Sequence, residues 1–96
     1  MSTNKNAQFT PGPWYAANMG NDFQGLVVEE QTGKNIAVAY DKRDVHILAA
    51  APTMYADLCA VRDYLFELYD EGNAKAGEYA ASLGITIEQA EGRHHE

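Results

Sequence analysis

The sequence is poor in cysteine, in cations and in long apolar runs, and each shortage excludes a class of protein. The single cysteine, Cys59, excludes an internal disulfide framework or a metal site built from several cysteines, and it suits a reducing cytoplasm. Seven Lys and Arg residues stand against fourteen Asp and Glu, a formal net charge of −7. This balance disfavours direct DNA binding and docking on anionic lipid, because both need a cationic surface. No apolar run approaches the roughly 20 residues of a membrane span, so we expect no membrane contact.

What is present is a globular composition. The chain has 96 residues, of which 46% are hydrophobic and 22% charged, a balance typical of folded rather than disordered chains. This length is enough for one core and not for two. We therefore predict a single domain over residues 10–92, preceded by a flexible polar arm (1–9) and followed by a polar tail (93–96).

The amino-terminal half carries the pattern of a β-sheet. The two prolines of Thr10-Pro11-Gly12-Pro13-Trp14 exclude a helix and lead into a strand. Alternating β-branched runs then flank Gln31-Thr32-Gly33-Lys34, in which Gly33 suits a backbone with positive φ. We predict a three-stranded antiparallel meander over about 14–40, with a turn at 19–24 and strands near 14–18, 26–30 and 36–40.

From Asp44 the apolar period changes from two to three and a half. Asp44 is expected to cap the helix and Gly72 to end it. Pro52 lies inside the pattern and predicts a kink, because proline has no backbone N–H to donate. We expect a short helix (44–51) and a long one (52–70) along one apolar stripe formed by Ile47, Ala51, Met54, Leu58, Val61, Leu65 and Leu68.

The carboxyl-terminal third predicts a weaker helix. Its apolar residues support a helix over 73–83 that Gly84 ends, and Thr86-Ile87-Glu88-Gln89 has the form of a capping box that opens a last short turn. The fold class predicted for the whole chain is α+β, with the meander first, the Pro-kinked long helix second and a short helical segment last.

The long helix has a wide apolar face. A three-stranded sheet, about 14 Å across at about 4.8 Å per strand, covers only part of a helix about 28 Å long. We predict that this face packs on a second copy or on another protein; the alternative is that the carboxyl-terminal segment folds back over it. The residues assigned to self-association are Met54, Tyr55, Leu58, Val61, Leu65, Phe66, Leu68 and Tyr69.

Three cations have no obvious partner along the helices. Arg62 has no carboxylate three or four residues away, and Lys42 and Arg43 precede a helix amino terminus, where an anion is favourable. With Tyr55 and Tyr69 they form a candidate site for an anionic nucleotide held between subunits. The alternative is that Arg62 extends to water and that the other two are ordinary loop cations.

The carboxylates offer a candidate surface for a partner protein. Carboxylates along a helix and a hairpin can imitate a phosphate backbone, although solubility alone also accounts for such charge. The candidate acidic residues are Glu29, Glu30, Asp63, Glu67, Asp70 and Glu71. No nucleophile–base pair, phosphate loop or zinc motif occurs, and His46, His94 and His95 do not complete a metal site. We therefore predict no catalysis, metal or cofactor.

Two short motifs carry a resemblance to a known group. Thr10-Pro11-Gly12-Pro13-Trp14 and the step from Ile47 through three alanines to Pro52, leading a Leu-rich helix, resemble small phage and prophage proteins over about residues 10–70. Many of those proteins have Asn-Ala-Arg-Leu-Ile where this chain has Asp44-Val45-His46-Ile47-Leu48. The resemblance implies a phage accessory protein in an infected bacterium and, by analogy, a homo-oligomer that inhibits host defence by binding a host protein.

Overall fold

A computed structural model describes residues 9–17 and 25–93 of the chain. The predicted turn at 19–24, nearly all of the predicted arm and the end of the predicted tail lie outside the described residues. The sheet has the antiparallel order β1-β2-β3 and the helices follow it, which confirms the α+β class. The elements are β1 (Trp14–Ala17), β2 (Gly25–Glu29), β3 (Asn35–Ala39), α1 (Val45–Ala49), α2 (Ala51–Asp70) and α3 (Ala74–Ala90).

The described residues form two compact units. The first is Thr10–Met54, which holds the sheet, α1 and the first turn of α2. The second contains Phe9 and residues 55–93, which hold the rest of α2 and all of α3. The assignment of residues 10–92 to one domain stays a prediction.

The core of the first unit lies between the sheet and α1. Side chains alternate along a strand, so one face of the sheet turns toward α1, which approaches all three strands. Val27, Ala39 and Val45 are buried there. The half-buried side chains packed on this cluster are Trp14, Ala16, Ile36, Ala37 and Ala49.

The two motifs behind the family resemblance meet in this unit. A methyl group added to Gly12 would lie 2.7 Å from Cβ of Pro52, so the chain passes Pro52 at a distance that only glycine permits. Trp14 donates from Nε1 to the carbonyl oxygen of Thr10 over 3.2 Å, which fixes the ring at the start of β1. The two motifs therefore form one packing unit, although 38 residues separate Trp14 from Pro52.

Glu29 closes the β2–β3 hairpin, which corrects its assignment to the candidate partner-binding surface of exposed carboxylates. The residue is buried, and its carboxylate accepts hydrogen bonds from the backbone of Gln31 (3.0 Å) and Thr32 (2.8 Å) and from the Thr32 hydroxyl. These bonds lower the pKa of Glu29, the Thr32 hydroxyl having the largest effect. Gly33 completes the turn with φ +74°, as predicted.

Glu29→Gln is expected to destabilise the hairpin and to change its response to acid. The folded carboxylate has a lowered pKa, so its stabilising effect is present at neutral pH and is lost as the pH falls below the unfolded value of about 4.3. Thermal melts between pH 3 and pH 7 should show a midpoint a few degrees lower for Glu29→Gln at pH 7 and a difference that shrinks as the pH falls below about 4.3. Glu30→Gln, at the exposed neighbouring position, is the matched control. Equal midpoints for the two variants at pH 7 would contradict this role of Glu29.

The helical region begins two residues earlier than predicted. A single 3-10 turn covers Lys42–Asp44, and Asp41, not Asp44, caps it by accepting from the backbone of Arg43. Asp44 makes no side-chain cap. The predicted break is confirmed, because α1 ends at Ala49 and Pro52 lies in the first turn of α2, where its missing N–H has least effect.

The end of α2 is confirmed, and the predicted end of α3 is wrong. Gly72 adopts φ +106°, and the amides of Gly72 and Asn73 bond back to the carbonyls of Tyr69 and Leu68, a Schellman motif. Asn73 then caps α3 by accepting from the Ala76 amide over 3.0 Å. Helix α3 runs through Gly84 to Ala90 without a break, since an isolated glycine costs only about 1 kcal/mol inside a helix.

Helices α2 and α3 pair in an antiparallel hairpin within the second unit. Near the connection, the Tyr69 ring lies against Gly77, where an added methyl group would clash with it. At the far end, the Tyr55 hydroxyl donates to the carboxylate of Glu91. Facing residues of two antiparallel helices have residue numbers with a constant sum when the alignment does not shift. Both pairs sum to 146, so one register holds along the hairpin. The alternative in which the carboxyl-terminal segment folds back therefore holds in part.

Candidate interaction surface

Part of the apolar face of α2 stays exposed after α3 has folded back. Met54 and Val61 are 46% and 48% exposed, and Phe66 and Tyr69 are exposed to a similar degree. Leu58, Leu65 and Leu68 are half-buried. Seven of the eight residues assigned to self-association are therefore at least partly accessible, and their role stays a prediction.

Tyr55 is the exception, and its place on an accessible surface is corrected. It is only 8% exposed, and the Phe9 ring packs on it edge to face with the ring centroids 5.1 Å apart. Burial raises the pKa of Tyr55, and the hydrogen bond to Glu91 and the nearby Cys59 raise it further. Spacing along the helix correctly places Tyr55 on the apolar face of α2. Spacing alone does not show which part of that face a neighbouring element covers.

The two arginines of the candidate nucleotide site have partners in the chain. Arg62 lies 3.2 Å from the carboxylate of Asp63, which corrects the expectation that Arg62 has no partner along the helix: a long arginine side chain reaches its sequence neighbour. Arg43 forms a forked pair with Asp41, with nitrogen–oxygen distances of 3.0 and 2.6 Å. That pair lowers the pKa of Asp41 to about 2. Lys42 is exposed, and nucleotide binding stays a prediction.

Four carboxylates lie on one side of the carboxyl-terminal half of α2 and of the residue that follows it, and we call them the acidic face: Asp63, Glu67, Asp70 and Glu71. Their spacing of four, three and one residues places them on neighbouring turns of one side of the helix. All four are exposed. Among the described ion pairs, Arg62 contacts Asp63 and none involves the other three. Glu30, which was assigned to the same surface, is exposed in the hairpin turn of the first unit.

The acidic face opposes the stability of the helix that carries it. The end of α2 has the negative pole of the helix dipole, and its last turn contains no cation. Glu67 also lies three and four residues from Asp70 and Glu71, spacings at which like charges repel. The arrangement costs the isolated chain free energy that a cationic partner would recover.

Removing charge from the end of α2 is therefore expected to stabilise the protein. Asp70→Asn and Glu71→Gln should each raise the free energy of unfolding by roughly 0.3–1 kcal/mol at low ionic strength, because each relieves the helix dipole. The gain should shrink in 0.5 M salt, which screens exposed charges. Urea unfolding followed by circular dichroism measures both effects. A loss of stability, or a gain unaffected by salt, would contradict this electrostatic account.

Two exposed aromatic residues were not identified from the sequence as candidates for an interface. Tyr64 and Tyr79 are 58% and 57% exposed, and exposed aromatic side chains are enriched at protein interfaces. Their signal was present, since Tyr64 lies off the apolar stripe and must face outward when that stripe is packed. Glu91 gave no such signal, because its pairing with Tyr55 depends on the register between two helices.

The described residues contain no group of three or more histidine, cysteine, aspartate or glutamate side chains arranged to hold a metal ion. Within the same part of the chain no helix has the length and hydropathy to cross a bilayer. Comparisons with curated proteins and with solved structures returned no match. A sequence model of the family described as Salmonella phage P22 protein Y8K6 matches residues 1–94, nearly the whole chain. The chain therefore belongs to this family of phage proteins.

Proposed function

We propose that this phage protein is a non-catalytic accessory protein that binds a host protein through the acidic face and self-associates through α2. The observation that carries the proposal is the acidic face itself, which lacks the cations that a stable helix end would carry. Charge kept at a cost to stability is characteristic of binding surfaces. The partner that fits is a protein with a lysine- and arginine-rich surface.

We place that partner among the components of host antiviral defence, in the cytoplasm of the infected bacterium. Membership of a phage family supports a role during infection, and a carboxylate surface fits proteins whose basic channels hold nucleic acid. Close contacts of ionisable side chains among the described residues have structural roles: Asp41–Arg43 is a local pair, and Tyr55–Glu91 joins two helices. This use of charged groups favours binding over catalysis.

The test is whether the protein allows a phage to infect bacteria that carry a defence system, and it uses two matched variants. One variant neutralises the acidic face (Glu67→Gln, Asp70→Asn, Glu71→Gln). The control neutralises the same number of exposed carboxylates elsewhere (Glu30→Gln, Asp44→Asn, Glu78→Gln). Each protein is expressed in bacterial strains that carry different defence systems, and the efficiency of phage plating is measured.

The proposal expects wild type and control to restore plating at least tenfold on one strain and the acidic-face variant not to restore it. If wild type restores plating on no strain, the defence role is wrong. If the two variants behave alike, the acidic face is not the binding surface. Light scattering on the wild-type protein tests self-association independently, and a monomer at all concentrations would remove that part of the proposal.

A further inference from the structure

The apolar face of α2 includes three evenly spaced residues, which we call the stripe. Met54, Val61 and Leu68 recur every seven residues, so they lie nearly in line along the helix. Met54 and Val61 are about half exposed and Leu68 is half-buried. The stripe spans 14 residues, about 21 Å at 1.5 Å per residue.

We infer that two copies of the chain pair through this stripe in antiparallel orientation, about a two-fold axis at Val61. This inference rests on the self-association in the proposed function and specifies its geometry. Met54 and Leu68 are equally distant from Val61 in sequence. A two-fold axis there sets Val61 against itself and Met54 against Leu68 of the second copy, the self-complementary contact that a symmetric dimer requires.

The charges beside the stripe select this orientation. Asp57 lies three residues after Met54, and Glu71 lies three residues after Leu68, so both border the stripe. In a parallel pair Glu71 would lie beside the carboxyl-terminal end of the second α2, where the helix dipole is negative. In the antiparallel pair, Glu71 lies beside the amino-terminal end of the second α2, where the helix dipole favours an anion.

A hydrogen-bonding group favours the same orientation. Tyr64 follows Asp57 by seven residues and borders the stripe on the same side. The antiparallel pair brings Asp57 of one copy next to Tyr64 of the other, twice in the dimer. The exposed phenol hydroxyl is a donor, and the carboxylate is an acceptor. A second copy therefore supplies both the apolar stripe and the polar groups at its border.

Disulfide trapping distinguishes the two orientations. In a full-length Cys59→Ala background, which removes the native thiol, a cysteine is placed at one stripe position at a time and the protein is oxidised mildly. A disulfide needs Cβ atoms about 3.5–4.5 Å apart. The inference expects Val61→Cys to cross-link with itself, Met54→Cys alone not to cross-link, and a mixture of Met54→Cys with Leu68→Cys to form the mixed dimer.

Each other result overturns the inference in a recognisable way. Efficient self-cross-linking of Met54→Cys means a parallel pair, which leaves the proposed self-association intact. A dimer in light scattering without any of these cross-links means that the two copies pair through another surface and that the stripe is left for a different partner. A wild-type monomer at all concentrations overturns the inference and the self-association together, whereas host binding is tested separately by the plating experiment.

Discussion

Gly25→Ala is expected to lower the free energy of unfolding of the sheet unit by about 3 kcal/mol, at the upper end of the range for overpacked cores. The added methyl group would lie 2.7 Å from Cβ of Val45 and 2.8 Å from its Cγ2. Val45 is buried in the core beside Val27, and its β-branched side chain cannot swing away. The substitution must therefore push α1 off the sheet.

The measurement is urea unfolding followed by the fluorescence of Trp14, the single tryptophan, which packs on this core. The second substitution Val45→Ala makes room for the new methyl group. The double variant should therefore lose less free energy of unfolding than the two single variants together, by roughly 0.5–3 kcal/mol. Gly84→Ala is the control, because its added methyl group meets nothing within 4 Å, and it should gain about 1 kcal/mol from helix propensity. Additive effects, or a Gly25→Ala protein as stable as wild type, would contradict the close approach.

The sequence was sufficient for the elements whose signals are local. The alternating runs and Gly33 predicted the hairpin because side-chain period and turn conformation are set within a few residues. Pro52 predicted the break before α2, and Gly72 its end, for the same reason. The failure at Gly84 was of another kind, because helix propensity is a weak preference that packing of α3 along α2 overrides.

The surface was less predictable than the fold. Glu29 and Asp63 look alike in sequence, yet Glu29 is buried as the cap of a turn and Asp63 is an exposed partner of Arg62. Which carboxylate finds donors depends on the local backbone path. Tyr55 and Val61 both belong to the predicted apolar face, and tertiary contacts with Phe9 and with Glu91 of α3 decide that Tyr55 is covered and Val61 open. The acidic face was found from sequence because its residues share one helix and no tertiary contact was needed to group them.

Tyr55→Phe is expected to destabilise the helical hairpin by roughly 1.5–3 kcal/mol, the range for a hydrogen bond to a charged group. The Tyr55 hydroxyl donates to Glu91, whose side chain is fully buried, so the substitution leaves that carboxylate with Arg93 as its remaining described ion-pair partner. The effect should appear in the circular dichroism of the helices during urea unfolding at pH 7. Tyr64→Phe, at an exposed site, should be close to neutral.

The same pair predicts a specific response to alkali. Burial raises the pKa of the folded Tyr55 hydroxyl above the ordinary value of about 10, so above pH 10 the unfolded chain loses this proton while the folded chain keeps it. Because the unfolded state then binds fewer protons, stability falls as the pH rises, by at most about 1.4 kcal/mol per pH unit. The wild type and Tyr64→Phe should show this slope between pH 10 and pH 11.5, and Tyr55→Phe should show a shallower one. Equal slopes for wild type and Tyr55→Phe would mean that the hydroxyl is not held between the helices.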